Sequence, residues 1–216
     1  MRSLSSRSIP ALFIESPDAR EHLDEITKGL RERFSLSVIH LAYQVHSDAI
    51  LENESGEGDG IVISRRGTGA IIRTADCFPV IVSDLQVPIA GIFHCGWRGV
   101  VLRLVTKGVR FLRERGARSL RATIFPGIGK CCFTIGKDIR ERFRESGIPI
   151  EERGGHLFGD LVTAIVNQLA AEDVTDVEVL AQCTACTPGL FSHRRDRDGR
   201  RHATLVWIPT KETLCR

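Results

Sequence analysis

The sequence predicts a single α/β domain, and three observations carry that expectation. The 216 residues are 42% hydrophobic and 26% charged, enough apolar material for a substantial core within one folding unit spanning residues 1–216. Short Val- and Ile-rich runs bounded by Gly, Ser and Asp recur along the chain and read as strands. Between them lie longer stretches with apolar residues at helical spacing and charges elsewhere.

Taken in order, Ile9 to Ile14 reads as a strand, and Ser16-Pro17-Asp18 as a helix start. Leu23, Ile26, Leu30 and Phe34 then recur at helical spacing. Val38 to Val45 is a strand that delivers Gln44 and His46 at its end, on one face by strand alternation. The acidic, Gly-rich stretch Asn53 to Gly60 reads as a flexible loop carrying Asp59, before the strands Ile61–Ser64 and Ala70–Arg73. Val80 to Phe93 is apolar but broken by Ser83-Asp84-Leu85-Gln86, which predicts a hairpin. Val100 to Glu114 predicts one amphipathic helix stopped by Gly116, with Gly99 near its start and its N–H groups available to an anion. A strand at Leu120–Phe125 leads into the Gly-rich turn Pro126 to Cys132. Helices follow at Lys137–Ser146 and Asp160–Ala171, and strands at Val177–Leu180 and Ala203–Ile208.

No run approaches the length of a membrane span, and Met1 to Pro10 lacks the apolar centre of a secretory signal. The expectation is a cytoplasmic protein that engages no membrane. A net charge of +3 does not call for nucleic acid as partner, although local arginine clusters suit phosphate groups. The seven cysteines read as thiols. Cys131-Cys132 and Cys183-x-x-Cys186 hint at a second metal site, but adjacent cysteines fit one tetrahedron poorly, so packed thiols are expected; Cys215 is incidental.

The chemistry concentrates in three short motifs: Gln44-Val45-His46, Thr74-Ala75-Asp76-Cys77-Phe78-Pro79 and His94-Cys95-Gly96-Trp97-Arg98-Gly99. The hairpin between Cys77 and His94 returns one to the other, and His46 adds a third donor. Two imidazoles and a thiolate with a fourth position open is how catalytic zinc is commonly held. Asp76, beside Cys77, reads either as a hydrogen-bonding or proton-handling carboxylate or as a cap of the turn toward Pro79. Trp97 reads as packing. Arg194-Arg195 reads as an anion site or a solvated basic face.

These motifs, together with Pro126-x-Ile128-Gly129-x-Cys131-Cys132, Asp160-Leu161, Cys183-Thr184 and Phe191-Ser192-x-Arg194-Arg195, resemble the YfiH-like laccase-domain family from about Val38 to Ile208. Its members carry names as different as multicopper polyphenol oxidoreductase, purine nucleoside phosphorylase and peptidoglycan editing factor. The resemblance implies a layered α-β-β-α arrangement, helices flanking two sheets, and a zinc site of His46, Cys77 and His94. It also implies phosphorolysis of adenosine, inosine and methylthioadenosine, and hydrolytic deamination of adenosine, so the expected partners are a purine nucleoside and phosphate. The chain departs from the family pattern in a short segment 1–36 without the usual glycine pair, where Arg7 is the candidate for a family arginine. Cys95, Phe125, Thr134 and His193 also stand where the family commonly has other residues.

On this reading Asp76, Arg98, Arg194 and Arg195 are the candidate catalytic residues, the arginines as phosphate clamps, and Gln44, Gly127 and Gly129 contact substrate. Three alternatives belong to other classes. Copper in place of zinc would make a polyphenol oxidase, although a single three-ligand site lacks the several His clusters of a multicopper relay. Amidase-type editing of a peptidoglycan precursor is the second, and a zinc-stabilised interaction module, closed by Cys95 or Cys131, is the third.

Overall fold

The computed structural model describes residues 3–5, 10–16, 23–84 and 86–211. The helix start at Pro17-Asp18, Arg7 and Cys215 lie outside these residues. In chain order the elements are β1 (Ser3–Ser5), β2 (Ala11–Ser16), α1 (Leu23–Phe34), β3 (Val38–Tyr43), β4 (Ile50–Glu52), β5 (Gly56–Glu57), β6 (Gly60–Ile63), β7 (Thr68–Thr74), β8 (Phe78–Asp84) and β9 (Ala90–Cys95). The rest are α2 (Trp97–Val101), α3 (Leu104–Glu114), β10 (Leu120–Ile124), β11 (Thr134–Ile135), α4 (Lys137–Glu145), β12 (Ile150–Arg153), β13 (His156–Gly159), α5 (Leu161–Ala170), β14 (Asp176–Val179), α6 (His193–Asp196) and β15 (Arg201–Ile208).

Among the described residues the strands form two six-stranded sheets, in the orders β1-β2-β15-β7-β3-β5 and β14-β10-β8-β9-β6-β4, and a small β11-β13-β12 sheet. Strand alternation explains how one chain fills the space on both sides of each large sheet. Phe13, Ile72 and Val206 of the first sheet and Ile61, Ile63, Ile81 and Ile92 of the second share one buried cluster. Their sequence neighbours point the other way. Leu12, Ile71 and Leu205 join Leu30 of α1, while Val62, Val80, Val82 and Phe93 join Leu104, Val109 and Leu112 of α3 and Ile165 and Leu169 of α5. The result is a mixed α/β fold in which both sheets are apolar on both faces, which is why several strands read as continuous apolar runs rather than as clean alternation.

The expected hairpin is present, with β8 and β9 paired antiparallel so that Pro79 faces His94 and Phe78 faces Cys95. Asp160 caps α5 as its position suggests, its side chain accepting from the Thr163 backbone N–H. The single helix expected from Val100 to Glu114 is instead two, broken at Leu102 and Arg103, the latter left-handed at φ 56°. The break keeps α2 against the hairpin end, where a Cβ on Gly99 would lie 2.9 Å from the His94 carbonyl oxygen, and lets α3 lay its own apolar stripe on the second sheet. The stretch read as a flexible loop, Asn53 to Gly60, carries β5 and a completely buried Asp59. No described helix is long and apolar enough to cross a membrane.

Candidate metal centre

The register of the second sheet assembles the site. Pairing of Gly60 with Phe93 sets Asp59 beside His94, whose backbone N–H donates to the Asp59 carbonyl at 2.7 Å. The hairpin brings Cys77, one residue before β8, next to His94 near the end of β9. His46 arrives from the loop after β3. That strand ends at Tyr43, so alternation does not place His46; a left-handed backbone (φ 61°) does.

One carboxylate holds that loop. Asp59 accepts from the backbone N–H groups of Val45 (3.2 Å), His46 (3.0 Å) and Ser47 (2.6 Å), from the Ser47 hydroxyl (2.9 Å), and from His94 Nδ1 at 2.7 Å. Because a carboxylate only accepts, Nδ1 carries the proton and Nε2 of His94 is left for another partner. Burial pushes the Asp59 pKa up, but the bonds from His94 and Ser47 win and hold it at about 2. Donor atoms of His46, Cys77 and His94 all lie within 4.8 Å of one another, and the two imidazole rings are 5.0 Å apart between centroids. Burial alone would raise the Cys77 thiol and lower the His94 imidazole. The charge and hydrogen bonds of His94 and His46 instead bring Cys77 down to about 6, and Cys77 with Asp59 brings His94 up to about 9. Both shifts favour the charged forms of the pair, and a cation binding the two donors would displace their protons.

Gly96 is required by this packing. A Cβ there would sit 2.7 Å from Cys77 Sγ and 3.5 Å from His46 Cδ2. Gly96→Ala should therefore displace the Cys77 sulfur and weaken metal binding by roughly 10- to 100-fold, comparable to damage to a ligand's supporting shell. Competition with a chromophoric chelator measures this, and unchanged affinity would show that the thiol does not need that space.

The centre opens on a cavity of about 960 Å³ lined by His46, Asp76, Cys77 and His94 together with Trp97, Ile128, Phe133, Leu161 and the basic residues Arg73, His193, Arg194 and Arg201. The other sequence candidates divide. Asp76 lines this cavity with a left-handed backbone (φ 88°), and both carboxylate oxygens are engaged, Oδ1 by the Thr184 hydroxyl at 2.6 Å and Oδ2 by the Arg194 N–H at 2.7 Å. It therefore positions the α6 turn rather than capping the turn toward Pro79. Arg194 lines the cavity with its guanidinium on Thr134 Oγ1 at 2.7 Å. Trp97 packs against the α3 cluster and also forms cavity wall.

Arg98, Arg195, Gly127 and Gly129 are not among the cavity-lining residues. Arg98 is exposed and stacks over the Trp97 ring at 4.5 Å. Arg195 is spent on the Thr184, Ala185 and Leu190 carbonyls and on Asp196. Gly127 lacks a side chain because a Cβ would meet the Phe78 ring at 2.6 Å, and Gly129 because it would press on Cys183 and Cys131. Gln44 lines the cavity, but its amide donates to the Arg73 carbonyl (2.6 Å) and accepts from the Arg73 N–H (3.0 Å), clamping the end of β3 to β7. Cys95 points into the core cluster on the opposite face of β9 from His94, so it is not a fourth ligand.

Sequence reasoning passed over Asp59, Arg73 and Arg201. The signal for Asp59 was an acid between two glycines immediately before a wholly apolar strand, a position where a charge is buried unless partnered. Spacing alone predicts separate packed thiols at Cys131, Cys132, Cys183 and Cys186; the structure brings all four together.

Residues 11–209 match the family described as multi-copper polyphenol oxidoreductase laccase. The chain belongs to that family. A purine nucleoside phosphorylase of Aquifex aeolicus is 34% identical over 203 residues, covering 89% of this chain and 96% of the relative. One from Deinococcus radiodurans is 32% identical, covering 78% and 70%. Among solved structures, YlmD from Geobacillus stearothermophilus superposes with a TM-score of 0.79 at 25% identity, covering 93% and 92% of the two chains. A Neisseria meningitidis protein superposes at 0.80 with 21% identity, covering 95% and 96%, which extends the likeness of fold across nearly the whole family domain.

Proposed function

We propose that this chain is a zinc-dependent purine nucleoside phosphorylase that also deaminates adenosine, working at the His46–Cys77–His94 centre. The observation that carries the reading is the convergence of those donors on one cavity whose wall carries Arg73, Arg194 and Arg201 alongside the acids Asp24, Glu57 and Asp76, in a chain whose relatives from several bacteria are named purine nucleoside phosphorylase. The donor set suits zinc: two imidazoles, one fixed by a carboxylate on Nδ1, and one thiol already drawn toward its anionic form. Copper chemistry of the multicopper kind would need further histidine clusters, and among the described residues the other metal-binding group is made of cysteines alone. Zinc held by His46, Cys77 and His94 would supply a Lewis acid able to acidify water.

The chain's own groups account for binding and orientation. A nucleoside base fits the apolar wall of Trp97, Ile128, Phe133 and Leu161, and a phosphate dianion fits the basic wall of Arg73, His193, Arg194 and Arg201. Asp76 and Thr184 hold the α6 turn so that Arg194 keeps its place, which makes Asp76 a positioning residue. Holding phosphate against the sugar carbon converts an encounter of two solutes into one oriented step, the larger part of what phosphorolysis requires.

Incubation of the purified protein with adenosine, with and without inorganic phosphate, tests both activities. Adenine should appear only with phosphate, and inosine should appear without it. Neither product, from protein retaining its zinc at this centre, would refute the reading.

A further inference from the structure

Away from that centre, β10 and β14 pair in parallel, from Arg121 with Asp176 to Ile124 with Val179, so their C-terminal ends leave the sheet side by side. The pairing continues past both strands as a bridge between Gly127 and Cys183, and the Thr184 N–H donates to the Gly127 carbonyl at 3.0 Å. Topology thus places the turn bearing Cys131 and Cys132 against the turn bearing Cys183 and Cys186. All four Sγ atoms lie within 4.8 Å of one another, and Cys131 and Cys186, separated by 55 residues, have sulfurs 3.6 Å apart.

We propose that Cys131, Cys132, Cys183 and Cys186 form a second metal site, structural in role, that binds one zinc ion as a tetrathiolate. A zinc–sulfur bond of about 2.3 Å in a tetrahedron sets neighbouring sulfurs about 3.8 Å apart, the scale of this cluster. A multi-iron cluster would hold its thiolates farther apart, because bridging sulfides and several irons lie between them. All-sulfur donors exclude a hard cation such as magnesium or calcium. The surroundings are fitted to sulfur. A Cβ on Gly129 would lie 3.2 Å from Cys183 Cβ and 3.3 Å from Cys131 Sγ, so a side chain there would crowd the cluster.

Binding exchanges four thiol protons for one zinc and leaves two net negative charges. Arg195 donates to the Thr184 and Ala185 carbonyls at 2.9 and 3.1 Å, and Arg194 to the Cys132 carbonyl at 3.4 Å, so two guanidiniums stand against the ligand turns. Cys131 and Cys186 are exposed, giving the ion a route from solvent. The adjacency of Cys131 and Cys132 is accommodated because each sulfur meets the other pair across the two turns, rather than both being reached from one loop. Zinc here would pin together the segments that carry Ile128 and Phe133 on one side of the cavity and His193 and Arg194 on the other.

The test uses the full chain with Cys77→Ala, so that the reading of the second site does not depend on whether the His46–Cys77–His94 centre holds metal. Purified under reducing conditions, this chain should retain about one zinc by elemental analysis. Adding Cys186→Ser should remove it. Chelation followed by cobalt(II) should give the intense thiolate-to-cobalt charge-transfer bands of a tetrathiolate, and these should weaken with Cys132→Ser. Should a serine variant fail to fold, chelation of the Cys77→Ala chain should lower its thermal midpoint by several degrees, and zinc should restore it. No retained zinc together with no cobalt–thiolate bands would overturn the proposal, as would disulfides joining these four cysteines in freshly reduced and desalted protein.

Discussion

Replacing Cys77 with alanine should remove one equivalent of metal per chain and lower nucleoside turnover by about a thousandfold, or roughly 4 kcal/mol of transition-state stabilisation. Cys77 is the one anionic donor of its centre. The half-buried sulfur is drawn toward the thiolate by His94 and His46, and His94 in turn is raised by Cys77 ahead of Asp59. Without the sulfur, two imidazoles remain, one exposed at His46 and one buried at His94, and neither offers a divalent ion the charge that offsets its lost hydration. Folding should be little affected, because Cys77 lies at the cavity wall rather than in the core cluster. Cys95→Ala is the matched control. Although Cys95 is the immediate neighbour of His94, its side chain faces the α3 cluster, so its loss should leave metal content intact. Elemental analysis of the two variants beside the unmodified chain decides the matter. A Cys77→Ala protein with full metal content would remove this sulfur from the ligand set.

Two of the three donors, Cys77 and His94, are legible in the sequence because they sit where short-range rules operate, whereas His46 is placed by a loop held on Asp59. A turn signal at Ser83 to Gln86 between two apolar runs predicts a hairpin, a hairpin fixes which residues face each other, and Cys77 and His94 follow from that. Asp160 was legible for the same reason, since capping is local. What spacing does not reveal depends on strands distant in sequence. Whether the acid at position 59 is solvated or buried depends on β6 lying beside β9, and whether two cysteine pairs meet depends on β10 lying parallel to β14. Gly127 and Gly129 have a packing reason to be glycine that spacing does not show either. A glycine-rich turn looks the same whether the missing side chains make room for a ligand or for Phe78 and Cys183. Arginines divide likewise, with Arg194 and Arg195 adjacent in sequence but only Arg194 on the cavity wall.

Asp59→Asn should be more damaging to the fold than loss of any ligand, costing about 3–5 kcal/mol of stability, because it breaks a buried ionic network from one side. The carboxylate is fully buried and accepts from three successive backbone N–H groups, a hydroxyl and His94. An asparagine keeps one acceptor oxygen and turns the other into an NH₂ group. If the oxygen faces His94 and the His46 N–H, the NH₂ points at the N–H groups of Val45 and Ser47, donor against donor. If it is flipped, the NH₂ opposes His94 Nδ1 and forces that proton to Nε2, the nitrogen a metal would need. Either orientation leaves buried donors without acceptors. The left-handed backbone at His46 is then held by fewer bonds, so the ligand loop loosens while His94 loses its orienting partner. Metal affinity should fall a further 10- to 100-fold in whatever fraction stays folded. Denaturant unfolding of the metal-free proteins isolates the structural cost, and chelator competition on the folded variant isolates the affinity loss. A variant with unchanged unfolding midpoint and unchanged affinity would mean that Asp59 neither holds the loop nor fixes the His94 tautomer.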